Sequence, residues 1–204
     1  MLIKLYPTNT DHKKILEVVK ILKSGGIVVF PTDTVYGLGC DITQQRAVEK
    51  VARLKGVKLE KAHFSFLFCD LSHISEYTKN IDNNIFRMIK KNIPGPFTFI
   101  LEANTNIPKI FRSRKKTIGI RVPDNSIIQQ ILKELGNPIL STSMHDKDEI
   151  LDYMTDPELI HERYENRVDV VIDGGYGGNL PSTVIDCMGD EPEIVRLGQF
   201  EPAD

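Results

Sequence analysis

Residues 25–40 read GGIVVFPTDTVYGLGC, and their order predicts an α/β fold. Ile27–Phe30 is a β-branched and aromatic run between Gly26 and Pro31, which is typical of a short buried strand. The polar residues that follow predict a turn with two threonine hydroxyls, one carboxylate and one phenol before the next helix. Ligands of α/β proteins collect beyond the carboxyl ends of strands, where such loops lie. The stretch therefore predicts a ligand-binding loop, and an ordinary strand-to-helix turn is the alternative.

Helical and extended patterns alternate through the rest of the chain, without internal repeats. The apolar periodicity predicts helices at 12–23, 43–54, 71–77, 83–91, 126–135 and 156–163, with Thr43 capping the second and Asp156 or Thr155 the last. It predicts strands at 27–30, 64–68, 97–103, 117–122, 138–142, 168–172, 182–186 and 193–195. The strands at 97–103 and 117–122 either form a hairpin with a long connection or lie apart in one sheet. One domain over residues 1–204 is expected, with a flexible polar segment at 144–153.

Composition excludes several classes of protein. The 204 residues are 41% hydrophobic and 26% charged, which suits a soluble chain with a sizeable core. No apolar run reaches the roughly 20 residues of a membrane helix, and the first residues lack the pattern of a secretory signal, so a cytoplasmic location is expected. The three cysteines have no CxxC spacing and the five histidines are scattered, so buried free thiols and no protein-bound metal are expected.

Charge is divided unevenly along the chain. Residues 1–121 hold 21 Lys+Arg against 10 Asp+Glu, a balance of +11, whereas residues 122–204 hold 5 against 18, a balance of −13. A basic surface favours a polyanion because binding releases phosphate counterions. Alternatively, the two halves interleave in one fold and neutralise each other.

Two basic segments, at residues 53–61 and 112–121, are candidates for phosphate or nucleic-acid binding. A solvated face would also explain many of their charges. Arg121 differs from the others because it lies in an apolar context, where an arginine requires an anion or several acceptors. Either a ligand or a buried ion pair is therefore expected at Arg121. The candidates for RNA binding are Arg53, Lys58, Lys61, Arg112, Arg114, Lys115 and Lys116.

Hydroxyls and glycines offer further groups for binding anions. Ser141–Ser143 ends a predicted strand, and Ser182-Thr183 follows the glycine-rich residues 174–178, so both places suit phosphate or carboxylate oxygens. The chain contains no Walker A motif, no GxGxxG after a strand and no GxSxG elbow. P-loop, dinucleotide-binding and serine-hydrolase sites therefore have no support.

The segment at residues 25–41 resembles the signature of the YrdC/YciO family. The same family pattern includes PGPFTFIL at 94–101, IRVP at 120–123, PILSTS at 138–143, residues 168–175, STVID at 182–186 and VRLG at 195–198. This resemblance implies a single-domain twisted mixed α/β sheet with helices around a large, concave, positively charged cavity. It implies binding of double-stranded RNA or tRNA. It also implies formation of threonylcarbamoyl-AMP from L-threonine, bicarbonate and ATP with Mg²⁺, with release of pyrophosphate, in tRNA modification.

The resemblance also assigns roles to individual residues, none of them as a catalytic residue. The substrate-binding residues it implies are Thr32, Thr34, Tyr36, Arg121, Ser143 and Ser182, with the first three at the amino-acid end of the cavity. The nucleotide-binding residues it implies are Lys55, Thr117, Ser141 and Arg196, with Lys55 at the phosphates.

The chain departs from the synthase pattern at two motifs. Val57 replaces the arginine of the Lys-x-Arg motif, and His145 replaces the asparagine of Ser-x-Asn. An isopropyl group cannot make the paired hydrogen bonds of a guanidinium, and Arg53 or Lys58 could substitute from a neighbouring position. The departures resemble the YciO branch. They leave open whether the protein is a nucleotidyltransferase, a non-catalytic RNA-binding module or an enzyme acting on another carbamoyl or nucleotide substrate.

Overall fold

The computed structural model describes residues 1–57, 64–108, 111, 117–144, 153–189 and 191–203. Its helices are α1 (His12–Lys23), α2 (Gln45–Leu54), α3 (Asn83–Lys91), α4 (Ser126–Leu135) and α5 (Pro157–Tyr164), with a 3₁₀ turn at Ile74–Glu76. Its strands are β1 (Leu2–Lys4), β2 (Val28–Phe30), β3 (Gly37–Asp41), β4 (Ser65–Leu67), β5 (Phe97–Glu102), β6 (Thr117–Arg121), β7 (Ile139–Ser143), β8 (Val170–Asp173), β9 (Thr183–Asp186) and β10 (Glu193–Arg196). Within these residues, no helix has the length and apolar character needed to span a membrane.

All ten strands join one mixed sheet in the order β1-β8-β2-β3-β7-β4-β6-β5-β9-β10. Strands β5 and β6 pair in antiparallel orientation, so the hairpin alternative is correct for them. Two strands from the acidic part of the chain lie between strands of the basic part. Strand β8 lies between β1 and β2, and β7 lies between β3 and β4. The basic and acidic parts of the chain therefore interleave in one sheet.

Helices cover the two faces of the sheet unequally. One face packs against α2, α3 and α5, whose buried apolar residues join the larger core cluster. The other face packs against α1 and α4, which contribute Ile15, Val18, Ile128 and Ile131 to a smaller cluster. That smaller cluster contains residues of β1, β8 and β2 and only Leu67 and Ile139 from β4 and β7. The described helices thus cover this face at the β1 end and leave it open toward β6 and β5.

The helices with clear caps agree best with the sequence predictions. Helix α1 spans the predicted residues, and α3 begins behind Asp82, whose side chain accepts a hydrogen bond from the Asn84 N–H. Helix α4 also matches, and Gly136 ends it with the positive φ of 74° that favours glycine. At α5, Asp156 is the N-cap. These elements carry local capping signals that a sequence displays directly.

Four predictions of local structure were wrong. The turn predicted before α2 contains strand β3, and strand β1 was not predicted. Thr43 does not cap α2, because its hydroxyl donates to the Asp41 carboxylate and Gln44 occupies the cap position. The helix predicted at 71–77 is reduced to the 3₁₀ turn. The flexible segment predicted at 144–153 lies mostly outside the described residues.

Candidate functional site

A row of register partners runs across the sheet on the face that carries α1 and α4. Residues directly opposite one another on neighbouring strands point to the same side of a sheet. In order, this row contains Val170, Val28, Gly39, Ser141, Ser65 and Gly119. It changes from buried valines to hydroxyls and glycines where the helices stop covering the sheet. We call the strands β7, β4, β6 and β5 of this face the open half.

Phe30 marks the boundary between the covered half and the open half. A Cβ atom added at Gly37 would lie 2.6 Å from Phe30 Cε2, and one added at Gly39 would lie 2.1 Å from the Leu140 carbonyl oxygen. The phenyl ring therefore lies directly against strand β3, which only glycines allow. Beyond the ring, the face presents the Ser141 hydroxyl, whose Oγ is 3.1 Å from that Gly37 Cβ position.

Arg121 ends β6 and reaches the loop between β2 and β3. Its Nη2 forms an ion pair with Asp33 and donates to Thr34 Oγ1 at 2.9 Å and to Thr32 Oγ1 at 3.5 Å. Its side chain is only 8% exposed. Burial lowers the pKa of Arg121, and the Asp33 carboxylate opposes that change. The predicted need for an anion at Arg121 is met here by a buried ion pair.

The Arg121–Asp33 pair leaves two polar atoms without partners. Arg121 Nε and Asp33 Oδ2 are both buried and make no hydrogen bond. Buried polar atoms in folded proteins nearly always have a partner, because leaving one without a partner costs about 1–3 kcal/mol. The Arg121 Nε–H and the Asp33 Oδ2 could therefore each form a hydrogen bond if these side chains changed position.

Arg196 acts electrostatically on both Arg121 and Lys55. Lys55 follows α2, and its Nζ donates to the Ser143 carbonyl oxygen at 3.2 Å. Burial lowers the pKa of Lys55, and the positive charge of Arg196 lowers it further. The charge of Arg196 also acts on Arg121. These three cations thus lie in one region in which, among the described residues, only the Asp33 carboxylate contacts them, an arrangement that favours an anionic ligand.

Arg196 is held in place by the segment before β9. Its Nη2 donates to the Ser182 carbonyl oxygen at 2.7 Å and to Ser182 Oγ at 3.2 Å. Ser182 Oγ lies 2.9 Å from Thr98 Oγ1 on β5. These contacts connect the cation on the last strand to the open half of the sheet.

Tyr36 fixes the loop above the site. It is fully buried, and its hydroxyl donates to the Gly175 carbonyl oxygen at 2.7 Å and accepts from the Gly174 N–H at 3.2 Å. Burial raises the pKa of Tyr36 because the phenolate form would lose its hydration. The Gly178 N–H in turn donates to the Thr34 carbonyl oxygen at 2.7 Å. The glycine-rich loop and the threonine loop are therefore joined into one unit.

The structure brings together most of the site residues predicted from the sequence. Thr32 and Thr34 contact Arg121, Lys55 contacts Ser143, and Ser182 contacts Arg196. Ser141 lies within the row described above. Thr117 is at the other end of β6 from Arg121, with Glu102 as its register partner. The binding roles of all these residues remain predictions.

Among the candidates for RNA binding, Arg53 is exposed near the end of α2. Lys58, Lys61, Arg112, Arg114, Lys115 and Lys116 lie outside the described residues, and so does His145.

The sequence prediction missed two residues of the site. Asp33 stands between two predicted threonines, and Thr98 lies within the PGPFTFIL motif. Asp33 could have been found because it is the carboxylate of the predicted ligand loop. Nothing local singles out Thr98, because its partner Ser182 is 84 residues away.

The cysteines do not contribute to this site. Cys40 is fully buried, as predicted for a packed thiol, and burial raises its pKa. Burial likewise raises the pKa of Cys187 to about 12, so its thiol stays protonated at neutral pH. Across the described residues, no group of three or more His, Cys, Asp or Glu side chains could hold a metal ion.

Comparison with known proteins relates this geometry to a family. A family model for Sua5, YciO and YrdC, described as telomere recombination, matches residues 20–198. The Escherichia coli protein YciO, itself described as uncharacterized, is 43% identical over 197 residues, covering 95% of this chain and 93% of its own. A threonylcarbamoyl-AMP synthase of Coxiella burnetii is 27% identical over 186 residues, covering 91% of this chain and 97% of its own.

Solved structures agree with the fold. The crystal structure of E. coli YciO superposes with a TM-score of 0.89 at 40% identity, covering 97% of this chain and 95% of that one. The Pyrococcus abyssi Sua5 structure, solved with L-threonine, superposes with a TM-score of 0.87 at 24% identity, covering 97% of this chain and 57% of that one. The mixed α/β sheet expected from the resemblance is thereby confirmed. The chain belongs to the Sua5/YciO/YrdC family.

Proposed function

We propose that this protein binds the phosphates of a nucleotide on the open half of its sheet and transfers the nucleotide's adenylyl group to a carbamate. The observation that carries the proposal is the convergence of Lys55, Arg121 and Arg196 around a surface of hydroxyls and glycines. Within the part of the chain that the structure describes, Asp33 is the one carboxylate that contacts these cations, so this part of the site has a positive charge that suits phosphate oxygens.

The reaction we propose forms threonylcarbamoyl-AMP. A carbamate oxygen, derived from L-threonine and bicarbonate, forms a bond to the α-phosphorus of ATP, and the bond to the pyrophosphate oxygen breaks. Mg²⁺ enters with ATP as part of the substrate. Such a step needs in-line positioning and neutralisation of the phosphate charge more than it needs a dedicated base. Lys55 and Arg196 would contact the phosphates, and the C. burnetii relative supports this activity through its name.

Val57 is the residue that argues most strongly against the proposed activity. It is half-buried and packs against the larger core cluster, so no guanidinium is present at the arginine position of the Lys-x-Arg motif. Losing a charged hydrogen bond to the transition state costs several kcal/mol. If Arg53 or Lys58 does not substitute, the nucleotide site serves an enzyme with another carbamoyl or nucleotide substrate.

Pyrophosphate release from ATP tests the proposal. The purified protein is assayed with L-threonine, bicarbonate and Mg²⁺ beside a variant carrying Val57→Arg and His145→Asn. The proposal predicts threonine-dependent release by the parent and an increase of about tenfold or more in the variant. The exposed Arg87→Met variant is the control and should match the parent.

Release by the variant alone would show an intact nucleotide site with a different natural substrate. No release by either protein, together with no ATP binding, would contradict the proposal.

We also propose binding of double-stranded RNA or tRNA, the partner expected of a protein in tRNA modification. Exposed Arg53, two residues before the site lysine Lys55, supports it. Binding to duplex RNA should weaken steeply with salt, because each phosphate contact releases a counterion. RNA binding without nucleotide binding would favour the non-catalytic module. A cytoplasmic location remains a prediction from the sequence.

A further inference from the structure

Thr98 lies on β5 in the open half of the sheet, and its hydroxyl contacts that of Ser182. It occupies the second position of β5, and its side chain and that of Ser182 are both buried. The two hydroxyl oxygens are 2.9 Å apart. A buried hydroxyl requires a hydrogen-bond partner, and Ser182 supplies one to Thr98.

Ser182 is the residue through which Arg196 is positioned. Arg196 donates three hydrogen bonds to it, from Nε and Nη2 to the carbonyl oxygen at 3.2 and 2.7 Å and from Nη2 to Oγ at 3.2 Å. Strand β10 is an edge strand and all four of its residues are exposed, so core packing does little to position the arginine.

The backbone at Gly198 brings the last strand close to Ser182. A Cβ atom added at Gly198 would lie 2.1 Å from the Pro181 carbonyl oxygen and 2.5 Å from the Ser182 carbonyl carbon. The Gly198 N–H also donates to Thr183 Oγ1 at 2.9 Å. This close approach places Arg196 next to Ser182, and the hydrogen bonds then orient its guanidinium.

The hydrogen-bonding capacity of the Ser182 hydroxyl defines the role of Thr98. A serine hydroxyl has one hydrogen to donate and two lone pairs that accept. The guanidinium of Arg196 has donors only, so it occupies one lone pair. When Thr98 donates its own hydrogen to the second lone pair, the Ser182 hydrogen is left to point at a ligand oxygen.

We propose that Thr98 is a positioning residue for phosphate recognition. Its hydroxyl holds the Ser182 hydroxyl so that Ser182 donates to a phosphate oxygen and Arg196 faces the same phosphate. This role differs from the one implied by the family resemblance, which places Ser182 among the substrate-binding residues and not among the nucleotide-binding ones. The inference rests on the proposed function, because it requires Arg196 to bind the phosphate of a nucleotide.

Calorimetric titration with AMP tests the role of Thr98. Thr98→Val keeps the shape and removes the hydroxyl, and it should weaken AMP binding about fivefold to tenfold. Thr98→Ser keeps the hydroxyl and should bind AMP within about twofold of the parent. Adenosine, which has no phosphate, should bind both variants equally. Thr78→Val is the matched control because Thr78 is also a buried threonine whose hydroxyl bonds only to a backbone carbonyl, that of Ile74.

A double-mutant cycle separates positioning from a general structural effect. Arg196→Met alone should weaken AMP binding, and Thr98→Val should add little in that background because the two residues act through one contact. Ser182→Ala gives a second route to the same result should Thr98→Val fold poorly, since it should reproduce the loss.

Each outcome has a distinct meaning. If Arg196→Met weakens AMP binding and Thr98→Val does not, the inference on Thr98 is overturned and the proposed function stands. If Arg196→Met leaves AMP binding unchanged, the role proposed for Arg196 fails and the inference fails with it. Equal losses in Thr98→Val and Thr98→Ser, or additive losses in the cycle, would show a structural role and would also overturn the inference.

Discussion

Two halves of one sheet face differ in what lies above them. At one end, α1 and α4 cover Val28, Val170 and Ile172, and these residues are buried and apolar. Toward β6 and β5, the same face carries Ser141, Ser65 and Gly119 in continuous register with those valines. Among the described residues, the cluster under α1 and α4 includes only Leu67 and Ile139 from β4 and β7, and none from β6 or β5.

The difference shows that the change from core to site occurs within a single row of residues. Where a helix covers the sheet, burial of apolar surface stabilises the fold. Where none does, the face carries hydroxyls and glycine backbone, with buried Arg121, half-buried Lys55 and exposed Arg196 beside them. We therefore expect substitutions in the covered half to change stability and those in the open half to change ligand binding.

The largest effect should come from the covered half. Ile131 on α4 is fully buried, and Ile131→Ala should lower the free energy of unfolding by about 3 kcal/mol because it removes apolar contacts and leaves a cavity. Urea denaturation measures this change. The affinity of the folded variant for AMP should stay at the parent value. Lys133→Ala on the exposed side of the same helix is the control. If Ile131→Ala unfolded at the parent's urea concentration but no longer bound AMP, the distinction between the two halves would be wrong.

The next effect should come from the open half. Arg121→Met combined with Asp33→Asn removes the buried ion pair without leaving either charge alone. AMP affinity should fall about 30-fold, since a charged hydrogen bond contributes roughly 1.5–3 kcal/mol. Arg87→Met combined with Glu134→Gln, both exposed, controls for loss of one positive and one negative charge elsewhere. AMP binding at the parent affinity would exclude Arg121 from the site.

The smallest effect should appear in the pH dependence of AMP binding. Burial and the charge of Arg196 lower the pKa of Lys55, and the protonated lysine is the form that attracts phosphate. AMP affinity should therefore weaken severalfold as the pH rises through this lowered pKa, which lies below the ordinary lysine value of about 10.4. The AMP phosphate is already dianionic there, because its second pKa is about 6. Lys55→Arg should bind AMP with little change over the same pH range, because a guanidinium stays protonated. An identical pH profile in both proteins would contradict this role for Lys55.

The elements predicted well from the sequence are those with local signals. Helices α3 and α4 have an Asp or Asn cap and a clear apolar stripe, and both match the predicted bounds. Strand β3 was missed because Gly37 and Gly39 weaken the strand pattern. The ring of Phe30 lies against Gly37, and the Leu140 carbonyl oxygen lies against Gly39. Local propensity cannot show a contact between neighbouring strands of this kind.

The site was predictable in its residue types and less so in its pairings. Arg121 was expected to need an anion because its surroundings are apolar, and the structure supplies Asp33 from 88 residues away. The Thr98–Ser182 contact depends on β5 lying beside β9, which only the sheet order reveals. Hydrogen bonds between distant segments are the part that the fold adds to the sequence.

A crystal structure of the protein with ATP and Mg²⁺ tests the central claim most directly. We predict that the phosphates lie on the open half of the sheet, within hydrogen-bond distance of Lys55 and Arg196. The nearby Ser182 hydroxyl should donate to a phosphate oxygen. ATP bound at any other surface, with Lys55, Arg121 and Arg196 unchanged and without a phosphate contact, would contradict the account.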